Sequence, residues 1–162
     1  MSESVANHPS VVRVRARLEE LAVSGEITIL QESARSAREA ADALGVEVGQ
    51  ICSSLIFSVA GRPLLILTSG RHRVDTALVA KHLGVPSLDR ADADLVRSAT
   101  GFAIGGVAPI AHAKAIDTYI DSALGEHSII WAAAGHPHTV FPLTFDELVR
   151  ITEGTVVEEH QP

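Results

Sequence analysis

QICSSLIFSVAGRPLLILTSG, residues Gln50 to Gly70, sets two β-rich apolar runs on either side of Gly61-Arg62-Pro63. Both runs are strand-sized, and glycine with proline between them signals a hairpin. The flanks are helical. Upstream, Ser36 to Glu39 (SARE) has capping-box spacing and starts AREAADAL, which stops at Gly45. Downstream, Asp75 caps TALVAKHL, ended by Gly84 and Pro86, and Asp92 or Asp94 opens a short helix through Ser98. Further out, HSIIWAAAG and HTVFPL read as two strands joined through Gly135-His136-Pro137. TFDE, Thr144 to Glu147, is a second capping box, with Gly154 as the stop of its helix and TVVEE as an edge strand. Near the start, Ser10 is the expected N-cap of a helix carrying Val11, Val14, Leu18 and Leu21 on one stripe, with EITIL as a short strand after Gly25. Strands in hairpin-like pairs with interspersed helices, no regular βαβ alternation and no GxGxxG after a strand place the chain in the α+β class with a mixed sheet.

The 162 residues suit one domain, 1–162, with a core of about 28–157 and an N-terminal helix of about 10–23. Apolar residues make up 46% of the chain, enough to bury a core, yet no run approaches the roughly 18 residues of a membrane helix. The polar N-terminus lacks an apolar signal core, and the single cysteine, Cys52, excludes an internal disulfide. A soluble cytoplasmic protein with no membrane or DNA partner is therefore expected. The net charge of −7 argues against broad electrostatic binding of nucleic acid but leaves room for local contact with one end of an RNA. Aromatics at 4% argue against a base-stacking platform.

The segment TGFAIGGVAPIAHAK, Thr100 to Lys114, carries three glycines and a proline in apolar surroundings. Gly105 and Gly106 let main chain approach a ligand closely, and Pro109 stiffens the exit. Such a loop can aim N–H groups at a developing oxyanion; a bulge or tight turn is the plainer alternative. His136 and His138 form HPH, which lacks a third ligand at metal-site spacing, so a polar turn is favoured over a metal site. Cys52 reads as a small buried hydrophobe. Asp121 in YIDSALG is equally a cap for the next turn or a functional carboxylate. Arg71, His72 and Arg73 could meet a phosphate at a strand end, although a solvated loop is favoured, and Arg13, Arg15 and Arg17 read as solvated charges.

Taken together, SSLIFSVAGRPLLILTSGRHRVD, ATGFAIGGVAPIAH, YIDSAL, AAAGHPHTVF and TFDELVRITEGT, in this order, resemble the YbaK-type aminoacyl-tRNA deacylases, also called the prolyl-tRNA synthetase-associated editing domain family. The resemblance covers about residues 28 to 157, and Thr100, Gly101, Gly105, Gly106, Val107 and Pro109 are its most specific part. It implies a single-domain, curved mixed β-sheet, barrel-like, wrapped around a central helix. It implies hydrolysis of the ester joining a wrong, small amino acid such as Ala or Cys to tRNA, outside the synthetase. The partners it implies are the aminoacyl-tRNA acceptor end and, as a second candidate, an aminoacyl-tRNA synthetase. The family loop falls on Gly105 to Pro109 and contacts the ester through its backbone, so no metal or organic cofactor is expected. Gly105, Gly106, Val107, Pro109 and Ser53 are the expected catalytic residues. Arg73, His112, Asp121, His136 and His138 are the expected substrate contacts.

Two departures from the family pattern stand out. Many members carry lysine where this chain has Ser53, and glycine where it has Ala111. Serine hydrogen-bonds but brings no charge. His112, His136 or Arg73 is the expected replacement cation. The alternative is a tRNA- or nucleotide-binding module of the same fold without catalysis.

Overall fold

The computed structural model describes residues 2–34 and 36–158. The elements, in chain order, are α1 (Ser2–Ala6), α2 (Pro9–Glu20), β1 (Thr28–Ile29), α3 (Ala37–Leu44), β2 (Ile51–Val59), β3 (Arg62–Ser69), α4 (Thr76–Leu83), β4 (Asp89–Arg90), α5 (Ala93–Thr100), β5 (Asp117–Asp121), β6 (Ile130–Ala133), β7 (Thr139–Leu143), α6 (Phe145–Thr152) and β8 (Thr155–Val157). Single 3₁₀ turns cover Val48–Gln50 and Ser122–Glu126. This is an α+β fold on one mixed sheet of eight strands, ordered β1-β7-β6-β2-β3-β5-β8, with β4 attached to β2.

The β2–β3 hairpin is the spine of the sheet, paired without a break from Cys52↔Ser69 to Val59↔Arg62. Its turn is Ala60-Gly61, one position earlier than the glycine-arginine-proline group suggests. Both residues have positive φ, 51° and 83°. Positive φ at both positions marks a type I′ turn, one of the two-residue turns that match strand twist, and it leaves Arg62 and Pro63 inside the strand. The Gly70 N–H donates to the Ile51 carbonyl at 2.8 Å, which sets the parity of the ladder. Pro63 therefore takes a position whose missing N–H would point away from β2.

Helix ends follow local rules. Ser36, Asp75 and Asp92 accept N-cap bonds, Thr144 and Glu147 form the capping box, and Gly45 and Gly84 close helices in the left-handed region. Three ends differ from expectation. His8, not Ser10, caps α2, because Pro9 takes the first helical position and the His8 ring accepts from the Ser10 N–H. α5 runs on to Thr100, and Glu153, not Gly154, is the left-handed cap of α6. EITIL contributes only Thr28 and Ile29 to the sheet. Of the TVVEE stretch, Glu159 lies outside the described residues.

The two sheet faces bury different helices. Cys52, Ile56, Leu65, Leu67 and Phe141 pack with Val14 and Leu18 of α2, Val96 of α5, Leu148 of α6 and Phe102. Phe57, Leu64 and Ile66 pack on Val79 and Ala80 of α4. Among the described residues, no helix is long and apolar enough to cross a membrane.

One irregularity positions the site. On the edge away from β3, β2 pairs in parallel with β6 at Ile51 and Cys52, and antiparallel with β4 at Phe57 and Ser58. Among the described residues, Ser53 to Ile56 have no strand on that edge. The ladder parity turns the main-chain groups of Ser54 and Ile56 toward this gap, and Ile56 satisfies its carbonyl with the Ala91 N–H at 3.1 Å. The sheet is split at Ser54.

Candidate functional site

A cleft of about 260 Å³ opens at the split. Its walls come from β2 (Cys52, Ser53, Ser54), from Ala37 and Ala40 of α3, from Val96 of α5, and from Trp131 and Val140 of the β6–β7 pair. Ile104, Gly105 and Val107 of the glycine loop and Pro137 of the histidine loop also line it. A drug-sized ligand usually takes roughly 300–1,000 Å³, so this cleft on its own falls just short of that range, whereas the recess adjoining it measures about 550 Å³. A second recess, lined by Ser33, His136 and His138, shares Ala34, Ile104, Gly105 and Pro137 with it.

The glycine loop has a closed neck. The Ala113 N–H donates to the Thr100 carbonyl at 3.0 Å and the Lys114 N–H to the Ala99 carbonyl at 3.1 Å. Gly105 has φ 95°, the left-handed side that a side chain resists, and a Cβ there would meet only Pro137, at 3.7 Å. Gly106 is different. A Cβ there would lie 2.9 Å from the Cα and backbone N of His136, so main chain of the two loops is in direct contact. The Gly106 N–H is used within the loop, donating to the Ala103 carbonyl at 3.1 Å. Among the described residues, the Gly105 and Val107 N–H groups make no backbone hydrogen bond. Pro109 is buried and does not line the cleft.

The structure thus brings Ser53, Gly105 and Val107 together in one cleft, with His136 and His138 in the adjoining recess. Three other expected residues lie elsewhere. Asp121 is fully buried at the end of β5, accepting from Thr68 Oγ1, the Ser69 N–H and the Ala123 N–H, with His72 Nδ1 at 3.5 Å. It caps the 3₁₀ turn, one of the two roles left open by its sequence. Arg73 is exposed in the loop after β3, outside the cleft lining. His112 sits behind the loop, its Nε2–H donating to the Ala108 carbonyl at 2.8 Å and its ring edge-on to Phe102.

Neither His112 nor His136 supplies a standing cation at neutral pH. Burial lowers the His112 pKa from 6.5, and nearby Arg13 lowers it further against the raising effect of the Ala108 bond. Burial also lowers His136, reinforced by His8 and His138, whose rings lie 5.2 and 5.3 Å away. Among the described residues, no group of three or more His, Cys, Asp or Glu could hold a metal ion.

The His112 shift carries a stability prediction. Its folded pKa is below its unfolded value, so the unfolded chain binds the extra proton first. The contribution is complete above pH 6.5 and is lost as pH falls from there through the lower folded value. His112→Gln keeps an amide donor for the Ala108 carbonyl and does not titrate. Urea unfolding midpoints of this variant are expected to vary less with acidification below pH 6.5 than those of the parent; parallel curves would contradict this.

Sequence reasoning missed two residues of the site. Ser54 Oγ is buried in the cleft wall and has no hydrogen-bond partner among the described residues. Among the described residues lining the cleft, Arg90 is the one that carries a charge, with its guanidinium 5.6 Å from the Phe57 ring centroid. Adjacent serines in an apolar run hinted at Ser54, whose bareness depends on the sheet split. Arg90 sits on a two-residue strand that carries no sequence signal.

The profile of the aminoacyl-tRNA editing domain family matches residues 31–151. EbsC of Enterococcus faecalis, provisionally named a Cys-tRNA(Pro)/Cys-tRNA(Cys) deacylase, is 26% identical over 125 residues, 76% of each chain. The proline–tRNA ligase of Citrifermentans bemidjiense is 28% identical over 100 residues, 61% of this chain and 18% of the ligase. A crystal structure provisionally described as a trans-editing enzyme for prolyl-tRNA synthetase is 38% identical and superposes with a TM-score of 0.89, covering 95% of this chain and 98% of that one.

Proposed function

The chain belongs to the aminoacyl-tRNA editing domain family, and from that premise we propose that it hydrolyses the ester of tRNA charged with a small wrong amino acid such as alanine or cysteine. One observation carries the reading: a cleft at a break in the sheet, lined by Gly105 and Val107 of the glycine loop. Small side chains differ by so little that binding alone separates them by about 1–3 kcal/mol per methylene, which is the reason for a second, editing site. Val96, Val107 and Trp131 line the cleft, and in this reading they limit the size of the side chain it admits.

The reaction asks little of side chains. Water attacks the ester carbonyl, a tetrahedral oxyanion forms, and the bond to the ribose oxygen breaks, with the proton passing to that oxygen. The products are free amino acid and tRNA. The Gly105 and Val107 amides are the donors for the oxyanion, and the packed loop holds them in place. Ser53 lines the cleft at the position where the family resemblance implies lysine. Arg90 supplies the positive charge that Ser53 does not, facing the phosphate of the terminal nucleotide. The acceptor end occupies the recess beside His136 and His138, while Pro109 and His112 act by holding the loop and Asp121 by holding the ends of β3 and β5. A cytoplasmic location fits a tRNA substrate.

Two measurements test this. Purified protein is incubated with tRNAs charged with Ala, Cys, Ser or Pro, alongside Gly105→Val. Release of a small amino acid by the parent, absent in the variant, is expected. In the same assay Arg90→Gln is expected to raise KM about tenfold with kcat little changed, the signature of lost phosphate contact. The missing lysine favours a second reading, a binding module without turnover. Retention of charged tRNA with no release from any substrate would decide for it.

A further inference from the structure

Helix α2 lies outside the family-matched residues 31–151, yet it touches the root of each loop that frames the cleft. Arg13 Nη2 donates to the Thr100 carbonyl at 2.9 Å, at the neck of the glycine loop. The same guanidinium covers the Phe102 ring at 4.4 Å from its centroid, and Phe102 is fully buried. A Cβ on Gly101 would lie 2.8 Å from the Arg13 nitrogens, so this contact needs glycine at that position. One turn earlier, the Ser10 carbonyl lies 2.8 Å from where a Cβ on Gly135 would be, and the His8 ring meets the His136 ring at 5.2 Å. The far end of the helix is fixed as well, since the Leu21 carbonyl accepts from Arg150 of α6 at 2.7 Å.

We propose that α2 is a brace for the site, and that Arg13 is a positioning residue that fixes the glycine loop against the histidine loop. A charged group read in the sequence as a solvated surface residue, and exposed in the structure, thereby also acts on the geometry of the Gly105 and Val107 amides. It does so through Thr100 and Phe102, without touching the cleft, whose lining does not include it. Backbone catalysis depends on placement, so a loop that drifts loses rate before it loses affinity. The catalytic part of this inference rests on the deacylase reading; the structural part does not.

The test uses the full chain with Arg13→Ala and Arg13→Lys. Hydrogen exchange is followed at the hydrogen-bonded loop amides of Gly106, Ala113 and Lys114 and, for reference, at Leu65, Ile66 and Leu67 of β3. Arg13→Ala is expected to speed loop exchange about tenfold and leave the β3 amides at parent rates. It is expected to lower kcat for ester hydrolysis about tenfold with KM within about twofold. Arg13→Lys, which keeps a charge over Phe102 and a donor for Thr100, is expected to recover about half of the lost rate. Unchanged loop exchange would overturn the brace, and so would equal acceleration of loop and β3 amides, which marks general destabilisation. Unchanged kcat in Arg13→Ala would overturn the positioning role. If the parent releases no amino acid from any charged tRNA, the deacylase reading falls, and the exchange measurement alone decides the brace.

Discussion

Gly106→Ala is expected to lower kcat/KM for ester hydrolysis about a hundredfold. The new Cβ would lie 2.9 Å from the His136 Cα and N, and 3.1 Å from the Gly135 carbonyl carbon. These are main-chain atoms of the opposing loop, so no side chain can rotate away. The two loops must part by several tenths of an ångström, and the neighbouring Gly105 and Val107 amides move with them. Gly105→Ala separates strain from displacement. Its Cβ has room, with only Pro137 at 3.7 Å, but its φ of 95° costs about 1–3 kcal/mol in a residue with a side chain. The Gly105 variant should therefore be the less stable of the two relative to its loss of activity. Steady-state kinetics with thermal unfolding on both variants checks the order. Full activity in Gly106→Ala would show that the loop contact is irrelevant to the chemistry.

The largest expected stability effect is that of Asp121→Ala, about 3 kcal/mol or more. Asp121 has no exposed surface, and its removal strands three donors, Thr68 Oγ1, the Ser69 N–H and the Ala123 N–H, inside the fold. It also removes the carboxylate beside His72. Each unsatisfied buried donor costs about 1–3 kcal/mol. Urea unfolding should show the loss as a lower midpoint, while the folded fraction keeps the parent KM. A normal midpoint with a raised KM would instead make Asp121 a substrate contact.

Local chemistry was legible from the sequence, and distant closure was not. The Ser36, Asp75 and Thr144 caps reach only three residues, and the Gly45 and Gly84 stops act on their own helices. Such signals survive without tertiary context, as does the hairpin, whose strands adjoin in the chain. The site depends on longer reach. β2 meets β6 in parallel across about eighty residues, and β4 covers just two positions of the same strand. Their failure to meet leaves the strand edge at Ser54 without a partner strand and admits Arg90, and neither gap nor charge is written in a local pattern. Gly105 to Val107 could be singled out because glycine pairs in apolar sequence have few uses. The reason for Gly106, contact with His136 main chain, required the fold. Arg13 is exposed, as its sequence suggested, but its contacts with Thr100 and Phe102 were hidden because those partners are far along the chain.

The central claim is that bare main chain beside the sheet split receives the aminoacyl ester. Amide chemical shifts measured during titration with a non-hydrolysable 3′-alanylamino-adenosine test it most directly. The account predicts saturable shifts at Gly105, Val107 and Ser54, with Asp121 and the Arg71–Arg73 loop unmoved. Shifts confined to that distant loop, with the amides at the cleft unchanged, would contradict it.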